Sequence, residues 1–383
     1  MFLALKEMRY SKKRYALVIS VVVLIAYLVF FLLSLAYGLA SANRTAVDAW
    51  SADGIVLSDA SNITIAISDL DRELLDEIDA SEKAPINAMR SVVYRNGDRS
   101  DDAKISVSFL GMETDSFIFP ELIEGTAPVD EMDVVVSDLL RQINGVEIGD
   151  TLEHAQTERI YTVTGITQNY EYSVAPVVYG DIQQFSTAMM AYRAVGDEDA
   201  EDAEAAESTE SVDAESGATQ EVPQRIAGIV IRGTAPTLDN ADLRFHTIPE
   251  LISNLPGYQA QLLTFGLMIL FLVLIAGVVI GIFMYILTVQ KQSIFGVMKV
   301  QGISNRFISK SVLWQSLLIS LTGVLIGAGL TVLSAVLLPP SVPIRINWAF
   351  FGVIGAFMII VALLGAIFSV QSVAKIDPLD AIE

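Results

Sequence analysis

The sequence predicts an α-helical membrane protein with four transmembrane helices and an α+β extracytoplasmic domain between the first and second of these helices. Two observations lead to this fold class. Hydrophobic residues make up 52% of the 383-residue chain, which is high for an ordinary soluble protein. They are concentrated in four long apolar runs, and a long mixed stretch separates the first run from the second.

The charge and the amino-acid types exclude several classes of protein. The formal net charge is −21, but residues 197–221 alone hold eleven Asp and Glu and no Lys or Arg. The chain has no cysteine, which excludes disulfides, thiolate metal sites and thiol nucleophiles. Since the polar part of the chain is acidic rather than basic, the composition argues against nucleic acid as a partner.

The N-terminal stretch predicts a cytoplasmic amphipathic helix followed by the first span. Residues 1–14 interleave apolar side chains with Lys and Arg, a pattern typical of a helix that lies among anionic lipid headgroups. The apolar run 15–40 is long enough to cross about 30 Å of hydrocarbon, which favours a span over a cleaved signal peptide. One side of this helix carries hydroxyl and aromatic side chains, which indicates contact with protein or a ligand, or ordinary helix packing. This stripe comprises Ser20, Tyr27, Phe30, Ser34, Tyr37 and Ser41.

Residues 41–257 predict a mixed domain outside the membrane. Residue patterns predict a helix at 68–78, a closing helix at 248–254 and eight strand-like segments, a mixture typical of an α+β domain. The strand-like segments are 54–58, 62–67, 91–95, 104–110, 133–136, 160–166, 175–179 and 225–231. Ser137 has neither a Gly-x-Ser-x-Gly elbow nor a nearby His, so it is predicted to cap a helix rather than act as a nucleophile.

One stretch of this domain, residues 196–222, is dominated by Ala, Glu, Asp and Ser. Such a composition cannot bury enough apolar surface to fold, which predicts an acidic disordered loop. An acidic arm that collects cations is the alternative.

Three further spans follow, together with the turn and the tail that flank them. They are 261–289, 311–338 and 348–369, the outer turn 339–347 and the cytoplasmic tail 370–383. Gly277 and Gly281 in the second span, and Gly323 and Gly327 in the third, have the small-residue spacing that permits close helix approach.

The segment 290–310, between the second and third spans, carries four basic residues and no acidic ones. Basic residues beside span ends stay in the cytoplasm, so this segment and both termini are predicted to be cytoplasmic. The apolar residues of the segment recur at helical spacing, with a break at Gly302. A basic amphipathic segment of this kind either lies among lipid headgroups or docks into a groove of another protein.

The motif Lys291-Gln-x-x-x-Gly296-x-Met298-Lys299-x-x-Gly302-x-Ser304 resembles the cytoplasmic coupling segment of the ABC permeases related to FtsX, MacB and LolE. Residues 134–140, 146–152 and 161–166 resemble the extracytoplasmic domain of the same family, and 375–381 resemble its cytoplasmic end. The resemblance implies coupling to a separate ATPase, with Phe295 and Met298 as docking anchors. The coupling residues that it implies are Lys291, Phe295, Gly296, Met298, Lys299, Gly302 and Ser304.

The family also implies a homodimer in the cell membrane that is driven by two ATPase subunits. No Gly-x-x-x-x-Gly-Lys-Ser/Thr motif occurs in the chain. ATP binding and hydrolysis are therefore expected on the partner chain.

Residues 1–15, 35–40 and 43–50 are similar to the heme-efflux permeases of Gram-positive bacteria within this family. This resemblance implies detoxification with heme as the transported substrate, without a permanently bound cofactor and without catalytic residues. The flat apolar ring of heme favours a site between aromatic and Met side chains. The predicted substrate residues on the first two spans are Phe30, Ser34, Tyr37, Tyr258, Gln261, Phe265 and Met268.

Tyr37 or Tyr258 is the expected contact to the heme iron. His154 and His246 are expected to be surface or strand residues rather than iron ligands. The alternative for the two aromatic faces is that they form the seam of a dimer.

Two other functions remain open at this point. One is an FtsX-like permease that transmits a signal to a cell-wall hydrolase, and the other is an exporter of a peptide or lipid. The residue pattern holds no intramembrane acid–base pair, metal cluster or nucleophile constellation, which argues against an enzyme.

Overall fold

The computed structural model describes residues 10, 12–100, 103–183, 185, 225–290, 296–298 and 301–374, apart from the side chains of residues 305 and 368–374. The chain divides into two compact units. The membrane unit comprises Met1–Leu39 and Ala260–Glu383, and the β-rich domain comprises Ala40–Gln259.

Four helices among the described residues are long and apolar enough to cross a membrane. Span 1 is Lys12–Ala42, span 2 is Tyr258–Val289, span 3 is Asn305–Leu337 and span 4 is Trp348–Ala374. The β-rich domain lies between spans 1 and 2 along the chain. The predicted fold class is therefore confirmed.

Local sequence determines where spans 3 and 4 begin. Ser304 precedes span 3, and its Oγ accepts a hydrogen bond from the backbone N–H of Phe307 at 3.4 Å. Gly302 makes the preceding turn with φ +84°, a conformation that suits glycine. Before span 4, Oδ1 of Asn347 accepts from the backbone N–H of Ala349 at 3.0 Å. Such caps satisfy N–H groups that the start of a helix leaves unpaired.

Glycines bring the spans into close contact at two crossings. A side-chain carbon added at Gly281 of span 2 would lie 3.1 Å from the carbonyl oxygen of Gly365 in span 4. A carbon added at Gly327 of span 3 would lie 2.7 Å from the Cβ of Ala26 in span 1. The predicted small-residue spacing therefore marks real helix contacts, span 2 with span 4 and span 3 with span 1.

Two clusters of buried side chains fill the membrane unit, and all four spans contribute to each. The segment cluster is Tyr15, Val18, Val22, Ile280, Met284, Leu287, Ile308, Val312, Ile319, Ala362 and Ala366. The aromatic cluster is Ala26, Val29, Phe30, Ile269, Val273, Ala276, Val324, Phe351 and Met358.

The β-rich domain contains thirteen strands among the described residues. They are β1 Gly54–Ser58, β2 Leu70–Asp71, β3 Glu82–Arg95, β4 Lys104–Met112, β5 Leu122–Gly125, β6 Asp133–Ser137, β7 Thr151–His154, β8 Ile160–Thr167, β9 Glu171–Tyr172, β10 Ala175–Asp181, β11 Arg225–Ile226, β12 Gly228–Arg232 and β13 Leu243–Thr247. Short α-helices and 3₁₀ turns connect them. The α-helices are Thr45–Ala49, Leu74–Glu77, Asp138–Asn144 and Ile248–Ser253, and the 3₁₀ turns are Asp59–Ser61 and Ile65–Ile67.

Most strands belong to one large mixed sheet with the order β13-β1-β12-β3-β4-β10-β6-β8-β5. The pairs β4–β10 and β6–β8 are parallel, and the other pairs along this order are antiparallel. Strand β7 pairs with β3 and β8, β9 pairs with β10, and β2 forms a separate small sheet with β11. Trp50, Leu110 and Tyr179 are fully buried in one core of the domain, and Phe109, Tyr161 and Phe185 in a second.

Two local predictions for this domain are wrong. Residues 62–67 do not form a strand, because Asn62 and Ile63 have positive φ angles (47° and 59°) and the chain turns there. Residues 68–78 do not form one helix, because Leu70–Asp71 pairs with β11. The Arg225 side chain holds this pairing through ion pairs to Asp69 and Asp71. A contact far along the chain thus overrides the local helix pattern.

The cap prediction for Ser137 is confirmed, since its Oγ accepts from the backbone N–H of Leu139 at 3.4 Å at the start of Asp138–Asn144. Other predictions lie outside the described residues. These are residues 1–9 and 11 of the predicted amphipathic helix 1–14, the whole of the predicted acidic loop 196–222, and residues 375–383 of the predicted tail.

Candidate functional site

Aromatic side chains gather where span 1 ends and span 4 begins. Phe30 stacks on Phe351 with ring centroids 4.7 Å apart, and Trp348 meets Phe351 edge-on at 5.9 Å. The ring of Tyr37 meets that of Phe350 edge-on at 5.6 Å. We call these five residues the aromatic end. Trp348 and Phe350 are exposed and Tyr37 is half-buried, so part of this aromatic surface is accessible.

The turn between spans 3 and 4 contains an arginine, Arg345, and packs against the same end of span 1. The backbone N–H of Arg345 donates to the carbonyl oxygen of Ser34 at 3.2 Å. Any side chain at Gly38 would clash with the backbone of Pro343, so glycine allows the turn to press against span 1. The backbone of Arg345 therefore lies beside span 1 close to the aromatic end, and its side chain is half-buried. Aromatic rings with an arginine near them suit a ligand that combines an apolar ring with acidic groups.

The structure places the predicted substrate residues of span 1 in two environments. Phe30 and Ser34 are buried within the membrane unit, and the Ser34 hydroxyl donates to the carbonyl oxygen of Phe30 at 2.9 Å. Phe30 is therefore a buried member of the aromatic end, and Ser34 is a buried neighbour that is bonded to it. Tyr37 contributes accessible surface to it.

The predicted residues of span 2 are also divided. Gln261 and Phe265 are half-buried, and Met268 is 43% exposed. The next residue, Ile269, belongs to the aromatic cluster, so these side chains border the contact of span 2 with spans 1 and 4. Tyr258 instead is buried in the core of the β-rich domain.

Sequence reasoning missed Arg345, Trp348, Phe350 and Phe351 as site residues. Three aromatic residues at the start of an apolar run, with an arginine shortly before them, are a signal that the sequence does contain. Their contacts with Ser34 and Tyr37, which lie far earlier in the chain, emerge only in the folded structure.

The segment between spans 2 and 3 is described in part. Lys291, Phe295 and Lys299 lie outside the described residues, whereas Gly296, Met298, Gly302 and Ser304 are described. Met298 is half-buried and packs, with Ile303, against the segment cluster. The N–H of Ile303 donates to the carbonyl oxygen of Met298 at 3.0 Å, which closes the turn.

Other apolar side chains of this region face outward. Val297 is 47% exposed and Phe307 is 54% exposed, whereas Met298, predicted as an anchor, points to the interior of the membrane unit. Arg306 and Lys310 are exposed on the same stretch. A partner that docks here would therefore meet Val297 and Phe307 within a basic surface.

A Ser–His pair in the β-rich domain has the wrong tautomer for nucleophilic catalysis. Nε2 of His154 lies 2.7 Å from Oγ of Ser91. Nδ1 accepts from the backbone N–H groups of Thr157 (3.1 Å) and Gln156 (3.3 Å), so Nε2 carries the proton and donates to the serine. Such a ring cannot take the serine proton. Burial lowers the pKa of His154, which keeps the ring neutral.

The second histidine, His246, is buried on β13 with Nδ1 3.9 Å from Oε2 of Glu250. Burial is the largest influence on its pKa, which is lowered. Both histidines are strand residues. Within the described part of the chain, no group of three His, Cys, Asp or Glu side chains could hold a metal ion.

The fold and the segment define a protein with four candidate membrane spans, and comparison with known proteins shows which permeases it resembles. Residues 266–378 match the family of the FtsX-like permease C-terminal domain. The match begins within span 2 and includes the segment and spans 3 and 4. This part of the chain is therefore similar to the C-terminal domain of FtsX-like permeases.

Its relatives are similar over the full length. The chain is 22% identical over 382 residues to the hemin transport system permease protein HrtB of Staphylococcus haemolyticus, with 100% of this chain and 99% of the relative covered. It is 25% identical over 386 residues to proteins of the same name from two strains of Staphylococcus epidermidis, with the same coverage. The predicted resemblance is confirmed.

Proposed function

We propose that the chain is the permease subunit of an ABC-type efflux pump that exports heme from the membrane, with energy from a separate ATPase. The observation that carries the proposal is an aromatic end with an arginine beside it, in a chain similar along its whole length to hemin transport permeases. In this proposal the termini and the segment 290–310 are cytoplasmic. The β-rich domain lies outside the cell membrane, and two copies of the chain work with two ATPase subunits.

The chemistry of the aromatic end fits heme in three respects. The accessible rings of Tyr37, Trp348 and Phe350 offer faces and edges for a flat apolar macrocycle. The guanidinium of Arg345 can bind a propionate carboxylate through paired hydrogen bonds. The Tyr37 hydroxyl is of a type that ligates heme iron. Met268 on span 2 would add a polarizable contact at the edge of the site.

The proposed mechanism is mechanical. ATPase subunits that close on ATP would pull on the segment through Val297 and Phe307, which are its exposed apolar side chains. The spans that follow from the segment would then change the geometry of the aromatic end. Release requires the heme affinity of the two states to differ, since a ligand responds only to differential affinity.

Hemin titration of the purified permease in lipid nanodiscs tests the proposal. Tyr37→Phe is expected to alter the heme absorption band, and Arg345→Gln is expected to weaken binding by about tenfold or more, since hydrogen bonds to charged groups are strong. Tyr285→Phe is the matched control, because Tyr285 is 49% exposed near the other end of span 2. This control should bind hemin like the wild type.

ATPase activity of the complex separates the rival functions. Hemin is expected to stimulate it. Stimulation only by an external protein would instead favour a signal transmitter, and stimulation only by a peptide or lipid would favour export of that compound.

A second experiment addresses the coupling surface. Phe307→Asp should lower ATPase binding and efflux, because it removes an exposed apolar contact and adds a negative charge to a basic surface. Gln301→Asp adds the same charge to the exposed segment without removing apolar area, and it should have a smaller effect. Equal losses in both variants would show that charge alone matters. Normal efflux in Phe307→Asp would exclude this side chain as an anchor.

A further inference from the structure

Two adjacent residues of span 1 are bonded to the chain on both sides of residues 291–304, which connect spans 2 and 3. The guanidinium of Arg14 donates to Oε1 of Gln290, the residue directly after span 2, at 2.8 Å. The hydroxyl of Tyr15 donates to Oε1 of Gln315 at 2.7 Å. Gln315 lies on span 3, the helix that begins at Asn305. The start of span 1 therefore contacts the chain on either side of the proposed coupling surface.

The second of these bonds is buried. Tyr15 is 2% exposed and Gln315 is 3% exposed. Tyr15 belongs to the segment cluster, against which Met298 and Ile303 of the segment also pack. Polar groups inside apolar surroundings cost free energy unless they are paired, and within membrane spans they commonly serve function. Apolar side chains would hold spans 1 and 3 together at least as well.

We propose that the Tyr15–Gln315 hydrogen bond transmits movement of the segment to span 1, which makes Tyr15 a positioning residue for transport. This inference rests on the proposed function, in which an ATPase moves the segment. Apolar surfaces tolerate sliding, because their attraction has no direction, whereas a hydrogen bond weakens steeply with distance and angle. The bond therefore makes span 1 follow span 3 when the segment moves.

Span 1 can carry this movement to the aromatic end. It is one continuous helix, Lys12–Ala42, with Tyr15 near one end and Tyr37 near the other. At 1.5 Å per residue these two tyrosines are about 33 Å apart along the helix. Displacement of Tyr15 would thus move Tyr37 relative to Phe350 on span 4, the ring that it contacts.

A single introduced cysteine can report the movement, because the chain contains no cysteine of its own. We would place it at Ala349→Cys, an exposed position at the aromatic end, and measure its labelling rate in the complex with the ATPase, with and without ATP and vanadate. Tyr15→Phe is expected to reduce the nucleotide-dependent change in labelling by up to about tenfold, because the net contribution of one hydrogen bond changes an equilibrium by about this factor.

Tyr27→Phe is the matched control, since the Tyr27 hydroxyl lies 3.0 Å from Oγ of Ser334 and links the same two spans farther from the segment. It should leave the nucleotide response unchanged. An equal loss of response in this control would overturn the assignment to Tyr15, because any link between the spans would then suffice.

The double variant Tyr15→Phe/Gln315→Leu distinguishes coupling from packing. Making both sites apolar replaces the buried polar pair with packing side chains, so thermal stability should return while the nucleotide response stays lost. If the double variant recovered both thermal stability and the nucleotide response, the proposal would be overturned. A full nucleotide response in the single variant Tyr15→Phe would overturn it as well. A reporter without any nucleotide response in the otherwise wild-type complex would instead refute the proposed function.

Discussion

Replacing Gly365 of span 4 by alanine tests whether the glycine crossing holds the membrane unit together. A side-chain carbon at this position would lie 2.5 Å from the carbonyl oxygen of Gly277 and 3.3 Å from Cα of Gly281, both in span 2. These neighbours are backbone atoms, so the two helices must separate before alanine fits. Gly352 on the same helix is a matched control, because nothing lies within 4 Å of a carbon added there.

The expected magnitude combines two opposing contributions. Alanine in a helix interior is more favourable than glycine by about 0.5–1 kcal/mol, and this gain applies to both variants. Overpacking costs about 1–3 kcal/mol and applies only to Gly365→Ala. The free energy of unfolding of the two variants should therefore differ by about 1–3 kcal/mol, which is about 5-fold to 150-fold in the folding equilibrium.

Reversible unfolding in mixed detergent micelles, followed by circular dichroism during titration with sodium dodecyl sulfate, measures this difference. Gly352→Ala should match or exceed the wild-type midpoint, and Gly365→Ala should unfold at a lower detergent fraction. Equal midpoints for the two variants would refute the inference that the backbone contact of spans 2 and 4 limits what this position accepts.

Two further predictions concern the β-rich domain. The pKa of His154 is lowered in the folded protein, so at a pH near and below the ordinary histidine pKa of 6.5 the unfolded chain binds more protons than the folded one. The free energy of unfolding should therefore fall as the pH drops below about 6.5. His154→Gln should remove part of this pH dependence in thermal unfolding scans from about pH 8 to 5. Asn87 is fully buried, donates to the carbonyl oxygen of Ile182 (3.1 Å) and accepts from the N–H of Ala227 (2.7 Å). Asn87→Ala should lower the unfolding free energy by about 1–3 kcal/mol, because it leaves the buried carbonyl oxygen of Ile182 without this donor, whereas the N–H of Ala227 keeps its bond to the carbonyl oxygen of Ile86 at 3.0 Å. Asn169→Ala at an exposed position should change it by less than about 0.5 kcal/mol.

The membrane spans were predictable because lipid imposes a simple rule on the sequence. A chain that crosses hydrocarbon must satisfy its backbone within a helix and present apolar side chains over a fixed length. The glycine spacing in spans 2 and 3 was equally readable, and the contacts at Gly281 and Gly327 bear it out. Which helix each glycine meets depends on the fold, and no local pattern encodes it.

The β-rich domain and the site were less predictable because they depend on distant contacts. Residues 70–71 carry a helical pattern but pair with β11, whose Arg225 lies much later in the chain. Likewise, Met298 has the apolar character of a docking anchor, yet the segment cluster takes up its side chain. An apolar residue in an amphipathic segment can face its own protein or a partner, and only the fold distinguishes the two.

The energetics of release connect the proposed site to the proposed link. A hundredfold fall in heme affinity corresponds to about 2.7 kcal/mol. One aromatic contact contributes about 0.5–1.5 kcal/mol and one hydrogen bond to a charged group about 1.5–3 kcal/mol, so losing one of each is sufficient. Arg345 is held to span 1 through Ser34, and Tyr37 lies on span 1 itself, whereas Phe350 lies on span 4. A shift of span 1 against span 4 would thus carry Arg345 and Tyr37 together away from Phe350, so a ligand that stays with Phe350 would lose one contact of each kind in one step.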